Sequence, residues 1–187
     1  MINNVSFKGL PSSTRYVSDK LIVGAQQGLL GLRKLKKEEN VSLIVDLRRK
    51  NSFLSVLLEK FYCFILGIKH KYLPLSLSGS NSSLKKACEE TIDSIGKNEK
   101  GKTFIHCRHG KHRSVLVSAA VEINDSRIQD AQSLEKFLQH HTFYDVRKTK
   151  RFLLFSVKAS AEYVQKKLDN LINQKQRFTE MVFGGKK

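Results

Sequence analysis

The chain has 187 residues, 40% of them hydrophobic, with two Pro and 11 Gly, and its 34 Lys and Arg against 17 Asp and Glu give a formal charge of +17. That length and apolar content suit one globular domain with its own core and exclude a disordered basic tail. The cationic excess points to anionic partners: a phosphorylated small molecule, an acidic membrane surface or nucleic acid.

The first twenty residues carry Lys8, Arg15, Asp19 and Lys20 rather than a long apolar block, so no secretory signal is expected and the cytoplasm is the expected address. Short aliphatic or β-branched runs at Leu21 to Val23, Val41 to Leu47, Lys71 to Leu75 and Thr103 to His106 read as strands. Helical periodicity covers Leu29 to Glu39, Phe53 to Leu66, Leu84 to Lys97, Ser114 to Ile123, Asp130 to His140 and a long basic stretch over about 151–176. Ser76 to Ser83 reads as a polar loop after Pro74. The most apolar stretch, Phe53 to Ile68, is interrupted by Glu59 and Lys60, and so is not expected to span a bilayer. Alternating strands and helices predict a single α/β domain over 1–187, with a central, mostly parallel sheet of four to five strands flanked by helices.

Three cysteines, Cys63, Cys88 and Cys107, fit neither a disulfide framework nor a zinc site. Cys63 and Cys88 sit among apolar or helical neighbours and read as small core residues. Cys107 opens the segment Cys-Arg-His-Gly-Lys-His-Arg-Ser, between a strand and an apolar helix. A loop entering a helix points successive N–H groups into one concavity, and the helix dipole adds positive potential there.

Gly110 supplies backbone freedom for a tight curl, and Arg113 can grip two phosphate oxygens with its planar fork. A thiol at the mouth of such a cradle is expected to be held below its usual pKa of about 8.5. The chemistry predicted is in-line attack of Cys107 on phosphorus, followed by hydrolysis of the phosphocysteine. Arg113 and the loop amides would hold the developing charge, and Ser114 would donate to the sulfur as it leaves. His106 reads as a structural hydrogen-bonding residue rather than a base, and no metal or cofactor is called for. Arg108, His109, Lys111 and His112 complete a phosphate-binding loop without one acid, although Arg108 and Lys111 also suit a solvated rim. Either His109 or His112 suits a bond to the loop backbone.

His106, Cys107, Gly110, Arg113 and Ser114 in this strand-loop-helix setting resemble the protein tyrosine phosphatase superfamily in its small dual-specificity branch. The run Gly110-Lys-His-Arg-Ser114 is most similar to the atypical dual-specificity phosphatases of plants and fungi, whose loop commonly contains Gly-Lys-His-Arg-Thr. Fainter similarity extends over about residues 15 to 155, including Leu43-Ile-Val-Asp-Leu-Arg48. The resemblance implies the cysteine phosphatase fold and a densely anionic substrate such as an inositol phosphate, inositol pyrophosphate or phosphoinositide.

It also implies a general acid, ordinarily an Asp from the region before the loop. Here no Asp or Glu lies between Tyr72 and Cys88, and Lys85 and Lys86 stand where acids are expected. Glu89, Glu90 and Asp93 read as solvated helix acids; Asp46 and Asp145 are more distant candidates, and the general acid is left unassigned. Two alternatives stand beside the small-molecule phosphatase: a tyrosine or dual-specificity protein phosphatase, and a phosphate-binding pseudophosphatase that has lost its acid. An RNA substrate ranks behind these, because no aromatic-rich single-strand platform is evident.

Overall fold

The computed structural model describes residues 9–11, 13–49, 53–76 and 81–141. The expected helix over 151–176 and Asp145 lie outside them.

The described chain runs β1 (Arg15–Ser18), β2 (Leu21–Ala25), α1 (Leu29–Glu39), β3 (Val41–Asp46), α2 (Phe53–Ile65), β4 (Lys69–Tyr72), α3 (Asn81–Gly96), β5 (Lys102–Cys107), α4 (Arg113–Asn124) and α5 (Ala131–His141). Five strands form one sheet in the order β1-β2-β5-β3-β4. The four strands from β2 to β4 are parallel, and β1 adds an antiparallel edge. The expected α/β layer is thus observed, at the upper strand count.

Successive side chains on a strand point to opposite faces, so each central strand feeds two cores. On one face Ile105 and Cys107 of β5 pack with Leu43 and Val45 of β3, Ala87 and Cys88 of α3 and Val117 and Val121 of α4. On the other, Phe104 packs with Ile44, with Leu32 and Leu35 of α1 and with Cys63 of α2. Phe104 is fully buried, and burial of such a side chain stabilises by about 1.5–3 kcal/mol. Cys63 and Cys88 are the small core residues expected of them.

Two strands depart from the sequence expectation. β1 is short and broken by a register shift between Tyr16 and Ser18, too brief to show an alternating pattern. β4 occupies Lys69–Tyr72 rather than Lys71 to Leu75. Its register, from Leu43 opposite Lys69 to Asp46 opposite Tyr72, places the charged half on the sheet edge. Leu73 and Leu75 are buried beyond the strand, and Pro74 between them has no N–H to continue the ladder. A strand with an exposed face does not look apolar, which is why the aliphatic residues misdirected the boundary.

Parallel strands bring their C-terminal ends to one side of the sheet. Ala25 pairs with Cys107 and Asp46 with His106, so β2, β3 and β5 converge where β5 gives way to the loop. This is the edge at which open α/β sheets bind ligands.

Candidate active site

The loop between β5 and α4 is held by its neighbours before any ligand arrives. His109 forms a bridge to Ala25 at the end of β2. Gly110 has φ of +67°, and a Cβ there would lie 2.3 Å from the Gly24 carbonyl carbon and 2.4 Å from the Ala25 nitrogen. The sequence alone accounts for this glycine by the backbone freedom that a tight curl needs. The structure gives a nearer cause: the loop backbone rests directly on β2, where no side chain fits. Arg15 of β1 also reaches the loop, donating from Nη1 to the Gly110 carbonyl at 3.4 Å and to the Ser13 carbonyl at 2.7 Å. Its other nitrogens donate to Nδ1 and the carbonyl of His141.

Cys107 is 2% exposed, with its sulfur 3.7 Å from Ser114 Oγ. Burial alone would raise the thiol pKa. Hydrogen bonds from the Ser114 backbone and hydroxyl, the Arg113 charge and the His109 backbone bond outweigh burial and hold it below its ordinary value. Arg15 is a further cation in this field; burial lowers its own pKa to about 10, which leaves it charged at neutral pH. Nothing in the sequence around Arg15 marks it, since an arginine opening a short strand is commonplace.

Arg113 Nη1 donates to the carbonyls of Leu47 at 2.7 Å and Leu75 at 3.2 Å. Its Nε and Nη2 make no hydrogen bond among the described residues, which leaves donors for an anion. The ends of β3 and of the stretch after β4 therefore aim the guanidinium. Arg108, His109 and Lys111 are exposed, whereas His112 is half-buried. Burial and the charges of Arg113, Lys111 and His109 hold the His112 imidazole below its ordinary pKa. Cys107, His109, Gly110, Arg113 and Ser114 are thus gathered at one point, with Arg108 and Lys111 at the rim.

His106 points to the opposite face of the sheet, stacked on Phe104 with ring centroids 5.5 Å apart. Its Nε2 is 2.6 Å from Glu59 Oε1 of α2. Arg48 Nη2 contacts Asp46 Oδ2 at 2.7 Å and Glu59 Oε2 at 2.9 Å, and His70 Nε2 lies 3.4 Å from Glu59 Oε1. All five side chains are at least 95% buried, a network of two carboxylates, one guanidinium and two imidazoles directly behind the loop. The sequence reads His106 as a structural hydrogen-bonding residue; Glu59 and Arg48, which meet it here, carry no such reading. The one available signal was an acid inside the mostly apolar Phe53 to Ile68 run.

Asp46, Glu59 and His106 bring ligand atoms within 4.8 Å of one another, as a metal site would. Arg48 already supplies a cation among them, making three hydrogen bonds from its Nε and Nη2 to the Asp46 carboxylate. That pairing fits a structural ion cluster rather than a metal centre, with the Asp46 carboxylate held on the Arg48 guanidinium. Among the other acids considered, Glu90 pairs with Lys71 at 2.8 Å, Asp93 with Lys97 at 2.8 Å and Glu89 with Lys85 at 3.9 Å. The leading influences on the ionisation of Cys107 are its burial, Ser114, Arg113 and His109.

This strand-loop-helix cradle sits on the fold of protein tyrosine phosphatase-like cysteine phosphatases. No known family profile matches the chain, and no curated protein matches it by sequence. Solved structures do. P. aeruginosa TpbA, as a cysteine-to-serine variant in complex with pTyr, superposes with a TM-score of 0.61 at 15% identity, over 84% of this chain and 91% of that one. PTPMT1 in complex with PI(5)P gives 0.57 at 14% identity, over 80% and 98%. The Cydia pomonella PTP-2 phosphatase gives 0.57 at 16% identity, over 78% and 88%. At these identities the likeness establishes the fold.

Proposed function

We propose that the protein is a cysteine-dependent phosphatase acting on a phosphorylated polyanion of the inositol phosphate, inositol pyrophosphate or phosphoinositide class. The observation that carries this is the Cys107 thiol, buried yet held below its ordinary pKa by Ser114, Arg113 and His109. A binding module has no use for an ionised thiol at the base of its anion site, which weighs against the pseudophosphatase alternative. Arg108, Lys111 and Arg113 put three fixed cations on or beside the loop, and Arg15 adds a fourth from behind it, a field suited to more than one phosphate. The ligands of the structural neighbours, pTyr for TpbA and PI(5)P for PTPMT1, are both phosphorylated, and the second belongs to the proposed class.

The Cys107 thiolate attacks phosphorus, an S–P bond forms as the P–O bond to the leaving group breaks, and the free donors of Arg113 hold two equatorial oxygens. Water then attacks phosphorus and the thiolate departs, aided by the Ser114 hydroxyl 3.7 Å away. With Asp46 locked by Arg48, the first step suits leaving groups that depart without a proton, such as the phosphate of a phosphoanhydride or an activated phenol. A phosphate-release panel of inositol phosphates and pyrophosphates, phosphoinositides, phosphopeptides and triphosphorylated RNA tests the proposal. Turnover of the inositol phosphates, inositol pyrophosphates or phosphoinositides, abolished in Cys107→Ser, is expected. Exclusive turnover of phosphopeptides would make it a protein phosphatase, and phosphate release undiminished in Cys107→Ser would end the cysteine mechanism.

A further inference from the structure

Helix α2 is amphipathic in reverse. Its core-facing positions are Val56, Glu59 and Cys63. Outward it presents Leu54, Leu57, Leu58, Phe61, Phe64 and Ile65, each more than half exposed, with Phe64 at 82%. Soluble proteins expose apolar residues singly, whereas a contiguous apolar helix face marks an interaction surface. The surrounding charge is mainly positive. Arg49, Lys60 and Lys69 are exposed, and the only acid between Arg49 and Lys71 is Glu59, buried on His106 and Arg48. On α1, which packs beside α2, Arg33 and Lys37 are exposed as well, with one exposed acid, Glu38, paired to Lys34.

We infer that α2 is an interfacial helix that docks the protein onto an anionic lipid bilayer. Thirteen residues make a helix about 20 Å long, short of the roughly 30 Å hydrocarbon core, and no described helix is long and apolar enough to cross a membrane. An aromatic and aliphatic face rimmed by lysine and arginine instead lies in the headgroup boundary, apolar side down, with its cations on anionic lipid.

Other occupants fit worse. A second copy would bring an identical cationic rim, on a chain of charge +17, against the first. Residues 142–187 carry eleven Lys and Arg against four Asp and Glu, the same sign as the rim. An anionic surface satisfies both the apolar face and its rim. Docking through α2 does not depend on the chemistry at Cys107.

The chain has no tryptophan, so Phe64→Trp in the full chain introduces a single fluorescent reporter on the face. In buffer its emission should be that of an exposed indole, open to iodide. Vesicles of equimolar phosphatidylcholine and phosphatidylserine should shift it to the blue, and brominated acyl chains should quench it; pure phosphatidylcholine should do neither. Leu57→Glu with Phe61→Glu, both at exposed positions, should lower cosedimentation with the anionic vesicles at least tenfold and leave thermal unfolding unchanged. An indole already shielded in buffer would mean that the tail or a second copy covers the face. That result, an indole indifferent to anionic vesicles, or undiminished cosedimentation of the double variant would each overturn the inference.

Discussion

Glu59→Gln removes one charge from the buried network behind the loop, and the structure sets how much that should matter. Burial would push the Glu59 carboxyl up, but the His106 charge and hydrogen bond, with contributions from His70 and Arg48, bring it down from 4.5 to about 2. A depression of that size corresponds to about 3 kcal/mol of folding stability when the group is ionised in both states. Breaking a buried ion pair from one side costs about 3–5 kcal/mol by mutational experience, which agrees. For a chain of this length the expected fall in Tm is about 6–12 °C. Because the folded-state pKa is depressed, the contribution is full above pH 4.5 and lost as pH falls towards 2; it should be about halved at pH 3. His106 behaves oppositely. Burial lowers its pKa but Glu59 and Asp46 raise it beyond the ordinary 6.5, so its share is full below 6.5 and lost as pH rises through the raised value. Urea unfolding of both proteins at pH 6 and pH 3 measures the difference. Stability of the variant within about 0.5 kcal/mol of the parent at pH 6, or a gap that does not narrow at pH 3, would refute the buried ion-pair account.

Gly110→Ala should cost about 1–2 kcal/mol for its left-handed backbone alone, and the Cβ would also force the loop off β2; calorimetry and vanadate affinity should both fall. Iodoacetamide should alkylate Cys107 with an inflection below the ordinary thiol value of about 8.5, while Cys63, pushed by burial up to about 12, should stay slow. Peptide mapping across pH checks both. Arg113→Lys keeps the charge but loses the paired donors and the bonds to Leu47 and Leu75, so steady-state turnover should fall by roughly two orders of magnitude or more, with circular dichroism unchanged.

The parts of this protein legible in its sequence are the local ones. α1 spans the predicted Leu29–Glu39 and α2 starts at the predicted Phe53, because helical periodicity and its interruption are written within one turn of chain. The loop from Cys107 to Arg113 was legible for the same reason, since its candidate nucleophile and candidate clamp lie within one short run of sequence. What was not legible is assembled across distance. The network of Asp46, Arg48, Glu59, His70 and His106 draws on two neighbouring strands, an edge strand, a loop and a helix, and no local pattern announces that these charges meet. Arg15 reaches Gly110 across 95 positions. The cause assigned to Gly110 missed the packing partner because β2 precedes it by some 85 residues.

The most direct test of the account is to trap the intermediate. Rapid acid quench during turnover of a phosphoanhydride substrate, followed by peptide mass spectrometry, should find one phosphoryl group on the Cys107 sulfur, and none in Cys107→Ser. Turnover with no phosphorylated Cys107 at any quench time, or with the phosphoryl group on a histidine of the loop, would contradict it.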